Sequence, residues 1–248
     1  MDINSLVTRN KYKNDIIFRI INIKGNKVIL KGEVVRLIAD ANIDDLRLFS
    51  FDEKKTVLLP KINEEQNVLK GKILHIDGDE YYLKKAMDTY SKYNILAIGY
   101  HIKESEIPLK IEELVLKHRP DIVVLTGHDA YYPSYSKNEI KGYKNSYYYI
   151  EGVKICRKIN PNKDDLIIIA GACQSYYEKL IEEGANFASS PTRSNIHLLD
   201  PIIIASFISN YRINEKIDIE YILSNTISKS LGGIETKGKA RKLFVGGK

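Results

Sequence analysis

Two stretches decide the fold: RPDIVVLTGHDA, Arg119 to Ala130, and DLIIIAGACQS, Asp165 to Ser175. Each holds an apolar run of strand length that lacks the in-out alternation of a half-exposed strand and ends on a glycine. A strand apolar on both sides has both sides covered, which is the habit of parallel sheets sandwiched by helices. The neighbouring segments supply the rest of that pattern. KILHI (72–76) and ILAIGY (95–100) predict two further strands. Between them, residues 80–93 carry helical periodicity with Leu83, Met87 and Tyr90 on one face. Residues 104–118 place Ile107, Ile111, Leu114 and Val115 on a stripe, and residues 146–159 predict a third helix. GANFASSP (184–191) predicts a fifth strand and its exit, with a helix starting near Asn195. The expectation for residues 69–248 is an α/β domain with a mainly parallel sheet between helices.

The first 68 residues have another texture. Short Val- and Ile-rich runs at 5–8, 15–23, 27–30 and 34–39 are punctuated by Lys24-Gly25-Asn26 and Gly32, which predicts a strand meander. A module this small closes most economically as an SH3-like barrel. The charged stretch 51–68 predicts a linker, so the expected division is 1–68 and 69–248.

Composition narrows the classes of function. The 248 residues are 44% hydrophobic, enough for a core without disulfides. Lys and Arg number 38 against 32 Asp and Glu, a net charge of +6. That bias falls short of the dense basic clusters of a dedicated nucleic-acid binder, and nucleic acid is not expected as a partner. Two cysteines exclude a four-thiolate zinc site, and no His/Cys/Asp cluster has zinc-ligand spacing, so neither metal nor cofactor is expected. No apolar run approaches the ~18 residues of a membrane helix, and MDINSLVTRNKYKNDIIF lacks signal-peptide order. A soluble intracellular protein is the expectation.

Ligands of open parallel sheets bind beyond the carboxyl ends of the strands, so residues just after each run carry the chemistry. After 121–126 come Gly127, His128 and Asp129; after 166–170 come Gly171, Ala172, Cys173 and Gln174. A thiol needs a base to become a strong nucleophile, and an imidazole fixed at the same rim can take its proton and later protonate a leaving amine. His128 and Cys173 are therefore the candidate catalytic pair. Gly127, Asp129, Ala172 and Gln174 would surround the reacting atoms and an oxyanion, helped by the N-terminal N–H groups of a helix expected to start after Cys173. Cys156 falls on the apolar stripe of the third helix and reads as core.

An apolar strand followed by His, then an apolar strand followed by Ala-Cys, resembles the caspase-like cysteine peptidases, among them clostripain, gingipains and separase. Asp129 stands where that group has Gly, and Gly-Ala-Cys-Gln-Ser replaces Gln-Ala-Cys-x-Gly. The blocks VTRNKYKNDIIFRI, VVRLIADA, LHIDGD, RPDIVVLTGHDAY, IIIAGACQS, GANFASSPTRSNIHLLDP and GGIETKG more closely resemble a family of sporulation-specific peptidases of spore-forming Firmicutes, over nearly the whole chain. The resemblance implies a thiol endopeptidase with Cys173 and His128 as its pair. Its implied substrates are coat and cortex-associated proteins of the forming spore, in the mother-cell cytoplasm. In caspase-like folds the loops after the central strands shape the substrate pocket, which would put Ser189, Ser190 and Arg193 at its border. Several members cut after basic residues, which needs an acid in the pocket; Asp129 and Asp200 are nearest along the chain.

Two other readings are available. A glutamine amidotransferase would need a downstream histidine with a carboxylate two positions later; His197 is followed at that distance by Leu199. A non-enzymatic adaptor would pair an N-terminal protein- or nucleic-acid-binding module, with Arg9, Lys11, Lys13 and Arg19, with a doubly wound ligand-binding domain.

Overall fold

Val7, Phe18, Ile20, Val28 and Leu30 give the N-terminal strands one buried face, while the residues between them point outward. The computed structural model describes residues 1–49, 59–62, 69–211 and 217–229, in two units, Met1–Leu59 and Pro60–Lys248. The first unit holds β1 (Leu6–Arg9), β2 (Phe18–Lys24), β3 (Lys27–Gly32), β4 (Ile38–Asn42) and β5 (Leu46–Leu48). All pairings are antiparallel, in the order β4-β3-β2-β1-β5. Gly25, at φ +59°, opens the two-residue turn between β2 and β3. The strand expected from residue 34 starts instead at Ile38, because Gly32 donates to the Leu37 carbonyl and closes residues 32–37 into a turn. β5, three residues after a one-turn 3₁₀ helix, carries too little pattern to be read from sequence.

In the second unit the order is β6 (Ile73–Asp77), α1 (Glu80–Lys92), β7 (Ala97–His101), α2 (Ile107–His118), β8 (Ile122–Thr126), α3 (Ser146–Ile159), β9 (Ile167–Ala170), α4 (Tyr177–Glu182), β10 (Phe187–Ala188), α5 (Asp200–Asn210) and α6 (Ile219–Ser224). The five strands are parallel, in the order β10-β9-β8-β6-β7, so this half is an α/β domain as expected. Leu74, Ile76, Val123, Leu125, Ile168 and Ala170 face one side and pack with apolar residues of α2 and α3. The alternate residues face the other side, where His75 meets Tyr90 of α1. The helix expected near Asn195 begins at Asp200, with Pro201 in its first turn. It is buried from Asp200 through Ser209 and therefore has no polar stripe.

The chain runs from β6 to β7 on one side and then crosses to β8 on the other. That reversal makes the carboxyl ends of β6 and β8 the topological switch point, the place where doubly wound sheets hold ligands. Most of the expected linker and the basic tail 232–248 lie outside the described residues.

Candidate active site

β8 and β9 pair in register with Leu125 opposite Ala170. His128 and Cys173 each follow three residues later, so both leave adjacent strands at the same end of the sheet. The glycines between serve different needs. Gly171 takes φ +103°, a conformation that side chains disfavour, as the chain turns off β9. Gly127 lies so close to its surroundings that a Cβ would stand 2.5 Å from Glu104 Oε1 and 2.6 Å from the Tyr149 hydroxyl.

His128 is held on every side. Its backbone N–H donates to Glu104 Oε1 at 2.7 Å. Its carbonyl accepts from Asn145 Nδ2 at 2.8 Å and from the Tyr149 hydroxyl at 3.2 Å. The ring lies 5.7 Å from that of Tyr82, and Nε2 is 2.8 Å from Asp79 Oδ2. Asp79, the N-cap of α1 two residues beyond β6, is the partner of the His128 ring to which the sequence assigned no role. Its signal was present: an acid following a strand at the same rim as His128. The connection depends on β6 lying beside β8, which the chain order does not disclose.

Cys173 is 2% exposed. The Ile196 backbone crosses its sulfur, with the N–H donating to Sγ at 3.4 Å and the carbonyl 3.8 Å away. Gln174 takes φ +63°, a strained conformation for a residue with a side chain, and its Oε1 accepts from the Tyr131 N–H at 3.1 Å. The helix expected after Cys173 is α4, but it begins only at Tyr177 and has six residues, so a turn, rather than a helix end, lies next to the cysteine.

Asp129 ties these segments together. Oδ1 accepts from the N–H groups of Ala130 (2.9 Å) and Asn145 (2.7 Å). Oδ2 accepts from the hydroxyls of Ser146 (2.5 Å) and Ser175 (2.8 Å). Ser146 Oγ in turn accepts from the Tyr176 N–H, and Ser175 Oγ from the Ala172 N–H. Burial pushes the Asp129 carboxyl above the usual carboxylate range, against the pull of these donors. Asp129 thus links the His128 loop, the start of α3 and the turn after Cys173. Among the described residues, no protein acceptor takes the backbone N–H of Asp129 or Gln174.

Three of the four pocket candidates, Ser190, Arg193 and Asp200, are engaged through their side chains with their own chain, while the buried Ser189 hydroxyl meets no partner among the described residues. Ser189 and Ser190 are buried, and Ser190 Oγ donates to the Ser194 carbonyl at 2.8 Å. Arg193 pairs with both Glu178 oxygens and donates to the Tyr143 hydroxyl at 3.0 and 2.8 Å. Tyr143 stacks on Tyr176 with centroids 4.9 Å apart, so part of the tyrosine-rich loop packs at this edge. Asp200 is buried and accepts from the N–H groups of Ile227 (2.7 Å) and Ser228, while Ser228 Oγ accepts from the His197 N–H. Both acids named for a basic-residue pocket are therefore committed to donors of the chain itself.

Cys156 lies in the core, its thiol pushed up to about 12 by burial. His75 belongs to a buried string: the Tyr90 hydroxyl bonds its Nδ1, its Nε2 bonds Thr126 Oγ1, and Thr126 donates to Asp77 Oδ2. Among the described residues no group of three His, Cys, Asp or Glu is placed to hold a metal, and no helix is long and apolar enough to cross a membrane.

Comparison with known proteins bears on this arrangement over almost the full length. The sporulation-specific protease YabG of Bacillus subtilis (strain 168) is 41% identical over 278 aligned residues, covering 96% of either chain. Residues 2–68 and 55–245 match the family described as YabG peptidase U57, so both units are covered. With a match of that extent, the chain belongs to the YabG peptidase U57 family.

Proposed function

We propose that the protein is a cysteine endopeptidase of sporulation, with Cys173 as nucleophile and His128 as general base and acid. The observation that carries this reading is the departure of both residues from adjacent, in-register strands at one end of the parallel sheet. In the first step, His128 takes the thiol proton and Cys173 Sγ attacks the peptide carbonyl carbon. The tetrahedral oxyanion is met by backbone N–H groups, for which those of Asp129 and Gln174, taken by no protein acceptor among the described residues, are the candidates. The imidazolium returns its proton to the leaving amine, giving a thioester. Water, deprotonated by His128, then releases the acid and regenerates the thiol. Because Ile196 covers the sulfur, a substrate must displace that backbone before attack.

The YabG relative's name supports a protease role in sporulation. Coat and cortex-associated proteins in the mother-cell compartment are the substrates proposed. A preference for cleavage after basic residues is part of the same reading, and it requires an acid other than Asp129 and Asp200. The strand order β4-β3-β2-β1-β5, with a 3₁₀ turn before the last strand, supports an SH3-like reading of the first unit, and the parallel order β10-β9-β8-β6-β7 supports a caspase-like reading of the second.

The test is proteolysis of a coat protein by purified variants. Cys173→Ala and His128→Ala should each abolish cleavage while retaining wild-type thermal unfolding. Full proteolysis by Cys173→Ala would remove the assignment.

A further inference from the structure

We infer that Asp79 is the positioning residue of the site: its carboxylate fixes the tautomer of His128 so that Nδ1, not Nε2, is the nitrogen that works on Cys173. This deepens the cysteine-peptidase reading and rests on it. The carboxylate divides its two oxygens between two tasks. Oδ1 caps α1, accepting from the N–H groups of Tyr81 at 3.0 Å and Tyr82 at 3.4 Å. Oδ2 is 2.8 Å from His128 Nε2. An ionised carboxylate only accepts hydrogen bonds, so the hydrogen of the neutral ring sits on Nε2 and the lone pair on Nδ1.

The support behind Asp79 is rigid. Its backbone N–H donates to Asp77 Oδ1 at 2.9 Å. Asp77 is the end of the buried string through Thr126 and His75 to Tyr90, whose members are 0–1% exposed. Asp79 is thus anchored both by the helix it starts and by the sheet it leaves. A group held in this way keeps its orientation while a proton moves on the neighbouring ring, with little reorganisation.

Other groups at His128 have different parts. Glu104, from the turn before α2, accepts the backbone N–H; Tyr149, from α3, bonds the carbonyl; and the Tyr82 ring, from α1, flanks the imidazole. Asp79 is the acid bonded to the ring itself. When His128 accepts the thiol proton on Nδ1, both ring nitrogens carry hydrogen, and Asp79 remains the partner of Nε2–H. Its negative charge favours that imidazolium.

Two variants separate this role from helix capping. Asn and Ser both cap helices well but bring no charge, so Asp79→Asn and Asp79→Ser should unfold like the parent. Each should lose about 10²- to 10⁴-fold in kcat with KM little changed, the scale seen when the acid of a serine-peptidase triad becomes an amide. The acid limb of the kcat/KM profile, which reports the free enzyme's base, should move to lower pH. Independently of activity, ¹⁵N NMR of Cys173→Ala should show the neutral His128 ring protonated on Nε2, and adding Asp79→Asn should shift that ring toward the other tautomer.

Wild-type kcat in a folded Asp79→Asn variant overturns the inference. So does a ring protonated on Nδ1 in Cys173→Ala, a measurement that needs no change at Asp79. Should Cys173→Ala still cleave, the peptidase assignment of that cysteine fails, while the ring measurement still decides whether Asp79 sets the tautomer.

Discussion

Cys156 and Cys173 are both buried, at 0% and 2% exposure, yet the regions that bury them are built oppositely. Cys156 faces an apolar cluster that includes Val153, Ile150 and Leu166, and burial alone drives its thiol up to about 12. Cys173 lies at a rim dense with hydrogen bonds, where an N–H points at its sulfur and Asp129 braces the turn that follows. Burial is common to both thiols; what differs is the polarity of the material that buries them, and the proposed nucleophile is the one at the polar rim.

The largest expected effect exchanges each sulfur for oxygen. Cys173→Ser should lose at least about 10³-fold in kcat/KM against a protein substrate, with the fold retained. Cys156→Ser should keep full activity but lose about 1–3 kcal/mol in urea unfolding, because a hydroxyl enters an apolar cluster. If activity followed Cys156 instead, the contrast would be reversed.

A second prediction removes the brace of the polar region. Asp129→Ala leaves the N–H groups of Ala130 and Asn145 and the hydroxyls of Ser146 and Ser175 without their acceptor. A loss of about 2–4 kcal/mol is expected in the same unfolding assay. A loss under 0.5 kcal/mol would show that these segments hold their places without it.

The smallest effect sharpens the comparison through pH. His197, next to the residue that covers Cys173, is lowered from 6.5 to about 4 by burial and by the charge of Lys85. The folded chain holds this ring neutral, so the unfolded chain binds more protons below pH 6.5. Stability should therefore fall by about 1–3 kcal/mol as pH drops from 6.5 toward 4. His197→Gln should flatten that part of the stability curve, and an unchanged slope would assign it to other groups.

The sequence was most informative where a pattern is local. The helix expected over 146–159 occupies Ser146–Ile159, and the strands expected to end at Thr126 and Ala170 do so. Apolar runs and helical stripes are properties of adjacent residues, so one chain suffices to read them. α5 was misplaced because a helix buried all round has no stripe and because 195–199 carries polar residues like those of a helix start. As candidates, His128 and Cys173 were legible because each follows an apolar run. Asp79 was not, since its bond to His128 spans 49 residues and exists only through the order of strands. Likewise, the acids considered for substrate binding could be named from sequence, but their engagement with Ile227, Ser228, Ser146 and Ser175 could not.

The clasp between Asp200 and residues 227–228 has a consequence for how the protein is made. Translation delivers α5 and the segment over Cys173 well before Ile227 and Ser228, whose N–H groups accommodate the Asp200 carboxylate and whose serine hydroxyl receives the His197 N–H. Until those residues emerge from the ribosome, a nascent chain must leave that carboxylate unmatched or keep it in water. The half of the domain that covers the cysteine is therefore finished late in synthesis, after the strands that carry His128 and Cys173 are already in place.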